Sequence, residues 1–136
     1  MENSKSETLN SKQVPNVKEQ GSKRYDLADR TLAFAKAVST FAKSIPTGIT
    51  NREYVPQLIR AAGSVGANYI EANDSLSKKD FVMRIKISRK EARESAYWMK
   101  LVDLKEHQEV TRQKLIQEAT ELMKIFGAIV TKSTAS

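Results

Sequence analysis

Residues 78–105, KKDFVMRIKISRKEARESAYWMKLVDLK, form the longest periodic run in the chain. At about 100° per residue, Phe81, Ile85, Ser88, Ala92, Ser95, Met99 and Val102 fall on one stripe. That stripe predicts a helix over residues 78–105, buried along one side, with small residues at the centre of its core face. Ser75 or Ser77 can cap its start. Asp80 lies in the first turn, where an acidic group favours the positive helix end. The same rotation places Lys79, Lys86, Arg93 and Lys100 along a second face, with Arg89 and Lys90 beside them. A third face holds Met83, Ile87, Trp98 and Leu101, with Glu91 and Glu94 nearby.

Upstream, Ala61-Ala62-Gly63-Ser64-Val65-Gly66-Ala67 forms the middle of a second helix, predicted over residues 52–73. Small side chains let a neighbour approach closely, and the small centre of the 78–105 stripe is the matching surface. Two glycines inside a helix cost about 1 kcal/mol each relative to alanine, which tight packing must offset. The other reading, a glycine-rich cradle for phosphate, needs a preceding strand, and no strand pattern is present. Thr50-Asn51-Arg52-Glu53 has the form of a capping box. Pro56 falls just past that start, so the regular helix either begins later or begins with a bend. Asn68 and Glu71 suit hydrogen bonds between helices or to a neighbouring subunit.

A first helix, over residues 26–44, carries Leu27, Thr31, Phe34, Val38, Phe41 and Ile45 on one stripe, and Pro46 and Gly48 stop it. A fourth, over residues 111–131, carries Leu115, Ala119, Leu122, Phe126 and Ile129, after a loop at His107-Gln108-Glu109. Residues 1–24 are polar and too poor in apolar side chains to offset their ordering entropy, so they are expected to be a disordered tail, as are residues 133–136. No alternation of period two persists. The expected fold is all-α, an antiparallel up-and-down four-helix bundle over residues 25–132.

A length of 136 residues suggests one domain. No apolar stretch approaches the roughly 18–20 residues of a membrane span, and no secretory signature opens the chain. With no cysteine there is no disulfide or thiolate site. These features predict a cytoplasmic protein without a membrane partner. The formal net charge is +7, and residues 78–105 hold most of it, with nine Lys and Arg against four Asp and Glu. Like charges one turn apart oppose the helix by a few tenths of a kcal/mol per pair. The ridge has two readings: ordinary solvated lysines, or a surface for a polyanion. Tyr97, at its edge, could stack on a base or ribose. A ridge of this kind suits phosphates rather than base edges, so the binding it predicts is weakly sequence-specific. The Trp98 face also has two readings, a contact with another protein or a broad stripe packed on two helices of the same bundle.

Catalytic groups are sparse. His107 is the single histidine and sits in a predicted loop. No Glu-x-x-His motif of the di-iron bundles is present. Glu91 and Glu94 are spaced to share a cation but lack partner carboxylates. The chain is expected to be no enzyme and to need no metal or cofactor.

Several stretches together carry a family likeness. Ser64-Val65-Gly66-Ala67-Asn68-Tyr69-Ile70-Glu71-Ala72 is followed by Ser77-Lys78-Lys79-Asp80-Phe81, Ile87, Lys90-Glu91-Ala92-Arg93-Glu94-Ser95 and Tyr97-Trp98-Met99. With Tyr25-Asp26-Leu27-Ala28 at the opening, residues 25–132 resemble the four-helix-bundle family of 23S rRNA intervening-sequence proteins. The resemblance implies a ring-like homopentamer, encoded within insertions in large-subunit rRNA genes or elsewhere in bacterial genomes. A related branch resembles the accessory variability determinant of diversity-generating retroelements, which implies a reverse transcriptase as a further partner. The expected function is non-enzymatic binding of RNA or DNA, RNA being the first expectation, by a homo-oligomer. Lys79, Lys86, Arg89, Lys90, Arg93, Lys100 and Tyr97 would face the nucleic acid. Met83, Ile87, Trp98 and Leu101 would face another subunit. The alternative is an accessory scaffold for a retroelement reverse transcriptase.

Overall fold

A computed structural model describes residues 23–135. The tail expected over residues 1–24 lies almost wholly outside the described residues. Four helices follow in order: α1 (Lys23–Ser44), α2 (Ile49–Asn73), α3 (Lys78–Leu101) and α4 (Glu109–Thr134). A 3-10 turn, Glu106–Gln108, leads into α4. No strand occurs among the described residues, and the all-α class with four helices is the one observed.

The described residues divide into two units at the boundary between Arg30 and Thr31. In the first, residues 23–30 are the opening turns of α1, with Leu27 buried. The second holds the rest of α1 and the other three helices. There α3 packs against both α2 and α4. Short connections make such neighbours antiparallel. The rings of Tyr69 and Phe126, both buried, lie 6.0 Å apart, so α2 and α4 also meet across the core. The predicted α3 stripe is buried at Ile85, Ser88, Ala92, Ser95, Met99 and Val102. Its first turn departs from prediction: Val82 is buried and Phe81 only half-buried. On α4, Val130 takes the buried place expected for Ile129, because the stripe advances four residues from Phe126 rather than three.

The small-residue stretch of α2 serves two neighbours. Ser88 of α3 donates through its hydroxyl to the carbonyl of Val65 at 2.9 Å, which ties the two small surfaces together. Gly66 faces α1 instead. A Cβ there would lie 2.8 Å from Oγ1 and 3.1 Å from Cβ of buried Thr31. Gly63 faces open space.

Five helix ends differ from the sequence reading. α1 starts at 23 rather than 26, α2 starts at 49 rather than 52, and α3 ends at 101 rather than 105. α4 runs over 109–134 rather than 111–131, so residues 133–134, expected in a disordered end, are helical. The helix expected from residue 52 begins at Ile49 and continues through Pro56. The Thr50–Glu53 capping box does not form, since Gly48 is the cap residue and has no side chain to offer. The Thr50 hydroxyl turns away and donates to the Asp103 carboxylate. Buried Asn51 explains the early start. Its Nδ2 donates to the carbonyls of Pro46 (2.7 Å) and Asp103 (3.0 Å), and its Oδ1 accepts from the Asp103 amide (2.8 Å). The same bonds end α3 at Leu101 rather than 105, because Val102 is extended and the Asp103 amide is given to Asn51. Gln108, also buried, donates to the carbonyl and hydroxyl of Ser44 (2.9 and 3.1 Å) and accepts from the Lys105 amide (2.9 Å). Arg112 of α4 covers the exposed end of α3 by donating to the carbonyls of Met99 and Val102.

Candidate functional site

α3 begins at Ser77, whose hydroxyl accepts from the Asp80 amide at 3.1 Å. From that cap the helical rotation carries the basic residues outward. Lys79, Lys86, Lys90, Arg93 and Lys100 are all exposed. From Lys79 to Lys100 the ridge runs about 30 Å, at 1.5 Å per residue. Among the described residues these five cations make one ion pair, between Lys90 and Glu91 at 4.0 Å. Arg89 stands apart from them. It is half-buried, and its guanidinium and Cδ lie 3.7 and 3.8 Å from where a Cβ on Gly127 would sit, so its side chain lies over α4.

Glu91, beside the ridge, has a displaced proton equilibrium. Burial pushes its carboxyl above the usual range, Glu94 pushes it further, and Lys90 opposes both. Arg84 is drawn to the other side of α3. It donates to Oδ1 of Asn68 at 2.9 Å, while Nδ2 of Asn68 donates to the Ser64 carbonyl at 2.9 Å. Asn68 thus makes an inter-helix hydrogen bond, as one reading of the sequence proposed. Glu71 is exposed.

Tyr97 lies within the ridge rather than at its edge, one turn after Arg93 and one before Lys100. Its side chain is 56% exposed. Beside it a groove of about 230 Å³ runs between α3 and α4. Ala92, Arg93, Ala96, Tyr97 and Lys100 of α3 line it together with Ala119, Thr120 and Met123 of α4. The sequence gives no sign of this groove, because Ala119 and Met123 join α3 only when α4 folds back. The α3 residues Ala92 and Ala96 were legible as small, but not as the lining of a groove.

The third face of α3 is divided. Trp98 is half-buried within the chain: its ring lies 6.1 Å from that of Tyr54 on α2, and Tyr97 meets it edge to face at 5.2 Å. Ile87 and Leu101 are half-buried, and Met83 is 50% exposed. Tyr54 went unseen in the sequence because it lies where the helix start was in question. Other large apolar side chains reach solvent at Leu32, Ile49, Ile59, Ile70, Leu76 and Val110.

His107 is exposed on the 3-10 turn. Among the described residues no group of three or more His, Asp or Glu side chains could hold a metal ion. No described helix is long and apolar enough to cross a membrane.

The chain's likeness to known proteins fits this geometry. Nothing among the curated proteins matches it. A crystal structure of a protein of unknown function from the S23 ribosomal protein family of Bacteroides thetaiotaomicron superposes on it with a TM-score of 0.67. The two are 26% identical, over 80% of this chain and 98% of that one. The sequence model for the 23S rRNA-intervening sequence protein matches residues 23–128, which include all four helix cores and the whole of the ridge. The chain belongs to the family of 23S rRNA-intervening sequence proteins.

Proposed function

We propose that this protein is a non-enzymatic, cytoplasmic homo-oligomer that binds nucleic acid, RNA foremost, along the outer face of α3. The observation that supports this is the length of the ridge. Five exposed cations spread over about 30 Å are too far apart for one small anion and suit a chain of phosphates. Among the described residues the one ion pair they make is that of Lys90 with Glu91, so most of their charge faces solvent there. Because the cations meet phosphates and not base edges, affinity depends little on sequence and falls with salt.

The test is a filter-binding titration with a short RNA at several salt concentrations. Changing Lys86, Lys90 and Arg93 together to Glu is expected to lower affinity by at least about 100-fold at low salt and to flatten the salt dependence. Unchanged affinity in that variant would remove the ridge from the binding surface. An accessory role beside a reverse transcriptase would use the same ridge against an RNA-bound partner. A reverse transcriptase gene and template repeat next to this gene would favour that role. A position within an rRNA operon would count against it.

A further inference from the structure

We propose that the groove between α3 and α4 at Tyr97 receives one unpaired base, so that the ridge prefers single-stranded to duplex RNA. This rests on the reading of the ridge as an RNA-binding surface and adds what that reading lacks, a place for a base.

Three observations converge on the groove. The first is its shape. Small residues from both helices border it: Ala92 and Ala119, both fully buried, and the half-buried Ala96, whose single methyl groups leave room beside Tyr97. Tyr97 and Met123 also line the space of about 230 Å³, so an aromatic ring and a thioether both border it. A polarisable sulfur and an aromatic ring are both favourable surfaces for a planar π-system.

The second is the exposure of the ring. Tyr97 leaves 56% of its side chain in solvent, although Trp98 beside it is partly covered by Tyr54. The Tyr97–Trp98 contact is edge to face, with the ring planes at 75°. An exposed ring of this kind offers stacking surface that every base can use, whatever its identity.

The third is charge. Arg93 and Lys100 also line the groove, and seven helical residues separate them by about 10 Å. They can hold the phosphates on either side of a nucleotide whose base is turned inward. In a duplex the bases are stacked and paired, and the deep, narrow major groove of A-form RNA hides their edges. A duplex could still reach the cations, but none of its bases could enter the slot.

The test uses the full chain, a 12-nucleotide single-stranded RNA and a blunt duplex containing the same strand. Trp98 is the only tryptophan, and it adjoins Tyr97, so its fluorescence reports on the slot. The single strand is expected to bind at least about fivefold more tightly than the duplex and to change Trp98 emission more. Tyr97→Ala is expected to erase the preference, lowering single-strand affinity about 5- to 100-fold, and Tyr97→Phe to keep it. Ala96→Leu, which fills the groove and leaves the ring in place, is expected to weaken the preference as well. Circular dichroism establishes that each variant is folded. Equal affinity of the normal protein for strand and duplex, or a preference that survives Tyr97→Ala, would overturn the slot and leave the ridge standing. No binding of either RNA would overturn both.

Discussion

Gly63 and Gly66 sit three residues apart in one helix and have opposite roles. A methyl group at Gly66 meets the buried Thr31 side chain at 2.8 Å, and a β-branched residue packed on all sides has little freedom to move. Gly66→Ala gains about 1 kcal/mol of helix propensity but should lose more through overpacking, for a net destabilisation of about 1–2 kcal/mol. Gly63 has nothing within 4 Å of its would-be Cβ, so Gly63→Ala should stabilise by about 0.5–1 kcal/mol. Urea denaturation of the two variants checks the contrast, and equal shifts would refute it. Glu91 provides a pH signature. Burial and Glu94 raise its pKa, so the folded protein holds that proton more tightly than the unfolded chain. Stability is therefore lost as pH rises from the ordinary glutamate value to the raised one, and the cost is fully present at neutral pH. Glu91→Gln should raise Tm at pH 7 and have little effect below about pH 3, where the carboxyl is protonated in both states. Thermal melts at the two pH values decide; the same gain at both would show that charge is not the cause.

The helices themselves were largely legible, because each is written in a local period. The α3 stripe and its Ser77 cap follow from spacing and from one hydroxyl at the right place. The ends were less legible where a distant partner sets them. Asn51 joins three groups contributed by Pro46 and Asp103, and no local rule announces a partner about fifty residues away. The bonds of Asn51 override the Thr50 cap that the local pattern suggests. Asn51→Ala should leave the Asp103 amide and two carbonyls without their partner in a part-buried site, at a cost of about 2–3 kcal/mol. Hydrogen exchange should show the loss concentrated at the α1–α2 turn and the end of α3. A uniform loss across all helices would argue against a local clamp. Arg112 illustrates the same principle with charge, since its guanidinium covers the carbonyls of Met99 and Val102 while Glu109 holds it from its own helix.

At the scale of the whole molecule, the ridge and the apolar faces point in different directions for assembly. Trp98, expected at an interface, is partly covered by Tyr54 and Tyr97, whereas Met83 and Ile70 remain half or more exposed. A cyclic assembly of copies would cover apolar surface of this kind and repeat the ridge around a ring. If that ring is the pentamer implied by the family resemblance, light scattering should give a mass about five times the subunit's 15.3 kDa. A monomer at micromolar concentration would remove the oligomeric part of the proposed function. The helix count, most of the buried stripes of α1, α3 and α4, and the exposure of the lysines on α3 were readable from residue order, because all three follow from a rotation of about 100° per residue along one segment. Only the packed chain shows that Gly66 meets Thr31, that Asn51 and Gln108 bind the loops at one end, and that alanines from two helices line one groove with Tyr97. Each of these depends on groups far apart in the chain, whose distance is set by packing rather than by local period.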